Sequence, residues 1–215
     1  MRSLLLAATA IAGFAALPAQ AIIISAFSQN SVADTVSASD DTVTTVIKII
    51  DASTDVSALF GNPAVPAALL DLTATSIDPV ATVAGALIQH YSGSFCITSG
   101  AGCSGIDYLS GTFSDAVFGQ SGGPGLVLNT NNPPDLLTLN SDVIPAADLV
   151  PPNNVNFTFT NVSPLLHADG NTIGAFTAGF SGSASATAVE TIEPSSLAVL
   201  VVGLLGLTAL RRRIG

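Results

Sequence analysis

Gly119-Gln120-Ser121-Gly122-Gly123 has the GxSxG spacing of a nucleophile elbow. That motif is a strained strand-to-helix turn that exposes the serine for attack. His167 downstream is a candidate base, with Asp142 or Asp148 as the orienter of its imidazole. An elbow needs a helix directly after it, however, and Pro124-Gly125 and Leu126-Val127-Leu128 follow here, which is a strand pattern. Chance matches are expected in a chain this rich in Gly and Ser. The expected reading is a glycine-rich hairpin loop, and a secreted serine hydrolase using Ser121 is the minor alternative.

The aspartates are the other chemical resource. Calcium takes hard oxygen ligands from carboxylates and backbone carbonyls, and Asp40-Asp41 and Asp169-Gly170-Asn171 are the best local clusters. Neither fits an EF-hand loop, and Asp-Asp and Asp-Gly are also ordinary turn chemistry. His90 and His167 lie far apart with no flanking ligands, so neither a zinc site nor any bound cofactor is expected. Tyr91 and Tyr108 are the candidates for stacking on a sugar. Asn156-Phe157-Thr158 and Asn161-Val162-Ser163 match the glycosylation sequon. Cys96 and Cys103, the only cysteines, flank Ser99-Gly100-Ala101-Gly102 at Cys-x6-Cys spacing. In an exported chain that pattern reads as a local disulfide.

The elements that must position these residues are mostly strands. Val155–Thr160 alternates apolar and polar side chains, as does Phe176 to Phe180, and Thr112–Phe118 is similar. Further strands are expected at Thr45–Ile50, Leu69–Thr75, Val80–Ile88, Gly125–Leu128 and Leu136–Leu139. Gly61-Asn62-Pro63, Asp78-Pro79, Asn131-Asn132-Pro133-Pro134 and Pro151-Pro152-Asn153-Asn154 punctuate them. Short helical turns fit Ala64–Leu72 and Pro145–Leu149. Ile22–Asp41 reads as a loose N-terminal arm, and Gly179–Ala188 as a strand end or a flexible stalk. The pattern predicts a mainly β chain folded as a single antiparallel β-sandwich or jelly-roll.

Charge narrows the partners. Between Ile22 and Val189 one cation, Lys48, faces thirteen aspartates, a net charge of 1 − 13 = −12. Such a surface repels phosphate backbones, which excludes nucleic acid as a partner. With one cation available, stability must come from apolar burial and backbone hydrogen bonds.

The two ends carry sorting signals. Arg2, the apolar Leu4–Leu17 and Ala19-Gln20-Ala21 form a signal peptide over residues 1–21, with signal peptidase cleaving before Ile22. At the other end, the 16 residues from Ser195 to Leu210 would span roughly 24 Å as a helix. That is short for a bilayer core unless Arg211 snorkels. Arg211, Arg212 and Arg213 belong in the cytoplasm by the positive-inside bias, leaving residues 22–189 outside as the ectodomain.

Glu193-Pro194, Ser195-Ser196-Leu197-Ala198, Leu200, Gly203-Leu204-Leu205-Gly206-Leu207 and the terminal arginines together closely resemble the PEP-CTERM sorting tail. The resemblance covers about 26 residues, 190–215. It implies a protein exported by exopolysaccharide-producing Gram-negative bacteria and processed by an exosortase-type membrane enzyme. Glu193 and Pro194 would then be the sorting motif, residues of about 195–210 the transmembrane helix in the inner membrane, and the arginines the stop signal. Ile192 stands where the family has its first proline, a departure that bears on processing rather than sorting. Gly111-Thr112-Phe113-Ser114-Asp115, Asn132-Pro133-Pro134, Ser141-Asp142-Val143-Ile144 and Phe180-Ser181-Gly182 carry a weaker likeness to ectodomains of such proteins. No activity comes with it. The expected function is that of a non-enzymatic surface or extracellular-matrix protein associated with exopolysaccharide. The alternatives are a glycan- or Ca²⁺-binding module and the hydrolase already named.

Overall fold

A computed structural model describes residues 21–33, 35–59, 62–119, 124–129 and 136–187. The expected signal segment up to Gln20, Ser121 of the GxSxG match and the whole sorting tail lie outside the described residues. Among the described residues thirteen strands run in chain order. They are β1 (Ala21–Gln29), β2 (Val36–Asp40), β3 (Thr45–Leu59), β4 (Val65–Ser76), β5 (Ala81–Val83), β6 (Ala86–Gly100) and β7 (Ser104–Gly119). After these come β8 (Gly125–Asn129), β9 (Leu136–Asn140), β10 (Asn154–Ser163), β11 (Ala168–Asp169), β12 (Thr172–Ile173) and β13 (Phe176–Thr187). The one helical element among the described residues is a 3₁₀ turn at Ala146–Leu149, inside the Pro145–Leu149 segment expected to turn.

The chain is mainly β and antiparallel, as the alternation predicts, but it closes into a barrel rather than stacking as two sheets. Neighbours run β6, β4, β3, β1, β13, β10, β8 and β7, and β7 pairs back onto β6. Two staves are made of two strands end to end. β1 and then β2 fill the gap between β13 and β3. β8 and then β9 follow one another along β7. Closure needs strong curvature, and β-bulges supply it. Register shifts interrupt β3–β4 twice, β6–β7 three times and β10–β13 once. Four of these shifts hold a non-glycine residue with positive φ: Asp51, Ala67, Asp115 and Asn161. Asp and Asn tolerate the left-handed region better than other non-glycine residues. Ala67 does not.

The inner face explains why these stretches are strands. All eight phenylalanines among the described residues are buried, together with Tyr91. Phe157 stands between Phe27 and Phe95, with ring centroids 5.3 and 5.6 Å away. Phe118, Phe159 and Phe176 form a second ring cluster. An eight-stranded barrel leaves just enough interior for side chains to fill, and these rings fill it. Gly182 faces the same interior and makes room for Phe27. A Cβ there would lie 2.5 Å from the Phe27 ring and 2.3 Å from the Asn156 carbonyl oxygen.

Several local expectations are corrected. Ile22–Asp41 is no loose arm, because Ile24, Phe27, Val36 and Ala38 are core residues of β1 and β2. Ala64–Leu72 is extended in β4, whose Ala68, Leu70, Leu72 and Ala74 alternate inward. Gly179–Thr187 is strand throughout: β13 pairs with both β1 and β10, with Ala184 and Ala186 in the core. Val80–Ile88 is not one strand. It is the β5–β6 hairpin, turning at Ala84-Gly85. Among the described residues no helix is long and apolar enough to cross a membrane.

Candidate functional site

With the interior filled, chemistry is left to the outer wall and the two ends of the barrel. On the wall, strand register sets two polar rows across four strands. Asp71, Cys96, Ser110 and Asn140 are successive neighbours on β4, β6, β7 and β9. Thr73, Ser94, Thr112 and Thr138 form the next outward row. Between them the inward row runs through Leu72, Phe95, Gly111 and Leu139. Small side chains on the wall leave a hollow of about 490 Å³ lined by Asp71, Thr73, Ser94, Cys96, Cys103, Ser110, Thr112 and Asn140, among others. The hydroxyl of Thr112 at its edge meets that of Thr138 on β9 at 2.6 Å.

Cys96 and Cys103 are joined by a disulfide, as their spacing predicts. Cys96 is buried in mid-strand, whereas Cys103 is exposed in the β6–β7 turn. The bulge in β3 ties this turn to β4. The Gly102 N–H donates to Asp51 Oδ1 at 2.7 Å, and the Asp51 N–H donates to Asp71 Oδ1 at 3.1 Å. The other Asp71 oxygen, Oδ2, is buried and makes no hydrogen bond of normal geometry. Burial raises the Asp71 carboxyl above the usual carboxylate range; the Asp51 and Cys103 N–H groups oppose this, and the Asp51 carboxylate adds to it. A carboxylate oxygen and both sulfurs lie within 4.8 Å of one another. While the bridge holds, those sulfurs are not metal ligands.

At the end of the barrel formed by the 41–44, 77–80 and 168–173 turns, the two candidate calcium clusters do converge. Thr172 donates its hydroxyl to Asp40 Oδ1 at 2.6 Å and to the Asp169 carbonyl at 2.8 Å. The carboxylates are engaged in closing turns, though. Asp40 Oδ1 accepts the Thr42 N–H, and Asp41 Oδ1 accepts the N–H groups of Val43 and Thr44. Asp78 takes the His90 N–H on Oδ1, and its Oδ2 faces His90 Nδ1 at 2.5 Å. These contacts account for the Asp40, Asp41 and Asp78 side chains as acceptors in the fold, whereas Asp169 contributes its backbone carbonyl.

Comparison with family models, with curated proteins and with solved structures finds no match to this chain. The site must therefore be judged on its own geometry.

The remaining candidates are dispersed. Gly119 and Gly125 are antiparallel partners, so the GxSxG segment joins two strands of a hairpin and lacks the helix an elbow requires. His167 Nδ1 lies 3.1 Å from the Leu165 carbonyl oxygen, whereas Asp142 Oδ2 accepts the Asp107 N–H. Tyr91 offers no stacking platform. It is fully buried, its hydroxyl donates to Gln89 Oε1 at 2.9 Å, and burial pushes its ionisation up. Tyr108 is half-buried against the core. Asp51 and Asp71, which tie the disulfide turn to the wall, carry no motif in the sequence. An acidic residue between Leu70 and Leu72 in a strand pattern is the only local signal, and it does not name Cys96 as the neighbour.

Proposed function

We propose that this is an exported surface or extracellular-matrix protein without catalytic activity, sorted through a PEP-CTERM-like tail and associated with exopolysaccharide. The single observation that carries this reading is the tail itself: Glu193-Pro194, an apolar run and Arg211-Arg212-Arg213, in that order at residues 190–215. Signal peptidase would release the chain after Ala19-Gln20-Ala21, and an exosortase-type enzyme would act at Glu193-Pro194 while the inner membrane holds the tail. The form of the barrel supports the reading in two ways. Its interior is packed with aromatic rings rather than open to a ligand. Its wall carries ordered Ser, Thr and Asn side chains that can hydrogen-bond to a hydrated polymer.

Fractionation tests this. Wild-type protein should leave the membrane fraction for the surface or medium, and a Glu193→Ala/Pro194→Ala form should remain membrane-bound at full length. Equal distribution of the two forms would contradict the sorting role. A glycan-binding module is the second reading, favoured by the 490 Å³ hollow with its hydroxyl, amide and carboxylate lining. Glycan arrays probed with and without Ca²⁺ distinguish it, since a structural polymer-associated protein should show no defined saccharide preference.

A further inference from the structure

We propose that the Cys96–Cys103 bridge is a thiol–disulfide exchange site in which an incoming thiolate takes Cys103 and Asp71 hands a proton to Cys96. Four observations converge. Asp71 is the direct cross-strand neighbour of Cys96 in the β4–β6 ladder. One of its carboxylate oxygens lies within 4.8 Å of both sulfurs. Asp71 Oδ2 is buried and makes no hydrogen bond of normal geometry, and the Cys103 N–H that stabilises the carboxylate belongs to the bridge itself. The two sulfurs also differ in access: Cys103 is exposed and Cys96 is buried, and both line the hollow that would admit a partner thiol.

The step balances as follows. A thiolate forms a bond to Cys103 Sγ while the Cys96–Cys103 bond breaks. The bonding pair leaves on Cys96 Sγ, which takes the proton from the Asp71 carboxyl. The products are a mixed disulfide on Cys103, a Cys96 thiol and an Asp71 carboxylate. A second thiol of the same dithiol reductant then attacks its own sulfur in the mixed disulfide. Cys103 leaves and is protonated by water, and the dithiol becomes a disulfide, having supplied both electrons. Exchange rates depend on how well the leaving sulfur departs, and a buried thiolate departs badly unless it is protonated. Burial keeps the Asp71 proton available nearer to neutral pH, which suits that role.

The test is the pH profile of reduction by dithiothreitol, with acid quenching and mass detection of the oxidised and reduced protein. Without a proton donor, the rate follows the attacking thiolate and climbs tenfold per pH unit below the thiol pKa. With Asp71 as donor, the gain in thiolate is cancelled by the loss of the Asp71 proton. The wild-type rate should therefore flatten between the Asp71 ionisation and that of the reductant. Asp71→Asn and Asp71→Ser should both restore the tenfold climb and be at least tenfold slower on the acid side. Glutathione trapped on the protein should map to Cys103. A wild-type profile that climbs tenfold per unit throughout would overturn the proposal without reference to any variant. So would variants faster than wild type at every pH, which would mean that the carboxylate merely repels thiolates. An adduct on Cys96 would overturn it too.

Discussion

Replacing Phe157 with alanine is the sharpest perturbation of the closed barrel. Phe157 is 1% exposed and lies between Phe27 and Phe95, its ring centroids 5.3 and 5.6 Å from theirs. Truncating a buried phenylalanine costs about 3–5 kcal/mol through lost transfer energy and the cavity left behind. Each aromatic pair adds roughly 0.5–1.5 kcal/mol beyond area burial. The rings on either side are held by different strands, so the cavity has little scope to collapse. A loss of about 4 kcal/mol is expected, a large share of the ~5–15 kcal/mol that holds a typical domain folded. With a urea dependence of about 2 kcal/mol/M, the unfolding midpoint should fall by about 2 M. The assay is urea unfolding of the purified protein, followed by circular dichroism. Thr158, the next residue, is exposed on the outer wall, and Thr158→Ala should stay within about 0.5 kcal/mol. A Phe157→Ala loss below about 1.5 kcal/mol would refute the packed interior. A Thr158→Ala loss of similar size would refute the register.

Four further outcomes follow from particular contacts. The protein isolated without reductant should show no alkylatable thiols until one is added, and a Cys96→Ser/Cys103→Ser form should lose about 2.5 kcal/mol in urea unfolding. Gly182→Ala should cost about 1–3 kcal/mol by overpacking, because its Cβ would strike the Phe27 ring and the Asn156 carbonyl; an unchanged urea midpoint would count against the packing. Burial raises the Asp107 carboxyl, the Ser110 hydroxyl opposes this and the Asp142 charge adds to it. A raised carboxyl stabilises the fold below its unfolded pKa, and that contribution is lost as pH rises through the folded value. Asp107→Asn should therefore be no less stable than wild type at pH 7 and should gain less on acidification, as urea midpoints at pH 7 and pH 4 will show. Deleting Arg211–Arg213 should impair membrane retention in fractionated cells, since the apolar run is short and in the proposed topology these residues would be its cytoplasmic anchor.

What the sequence displays depends on whether the determinant is local. Val155–Thr160, Gly125–Leu128 and Leu136–Leu139 are legible as strands because side-chain alternation or apolar runs are local properties, and β10, β8 and β9 contain them. β6 is poorly legible: His90, Ser92, Gly93 and Ser94 lack strand propensity, and the segment is extended because β4 and β7 pair on either side of it. The Ile22–Asp41 stretch misleads for the converse reason. Its polar Ser, Asn and Asp content reads as a loose arm, while Ile24, Phe27 and Val36 gain their burial from β3 and β13. Barrel closure is not legible either. It depends on the β6–β7 pairing and on bulges at Asp51, Ala67, Asp115 and Asn161, whose positive φ is imposed by partner strands. Of the wall site, the cysteine pairing is visible from spacing. Asp71 is not, because its place beside Cys96 is a matter of register between distant segments.

The most direct test of the account is the intact mass of the protein recovered from its native envelope and surface layer, with both termini sequenced. The account predicts a chain that begins at Ile22, carries one internal disulfide and ends upstream of the apolar run, near Glu193-Pro194. A full-length C-terminus at Gly215 on the surface-located protein would contradict it, making the tail a permanent anchor and removing the sorting step on which the proposed function stands.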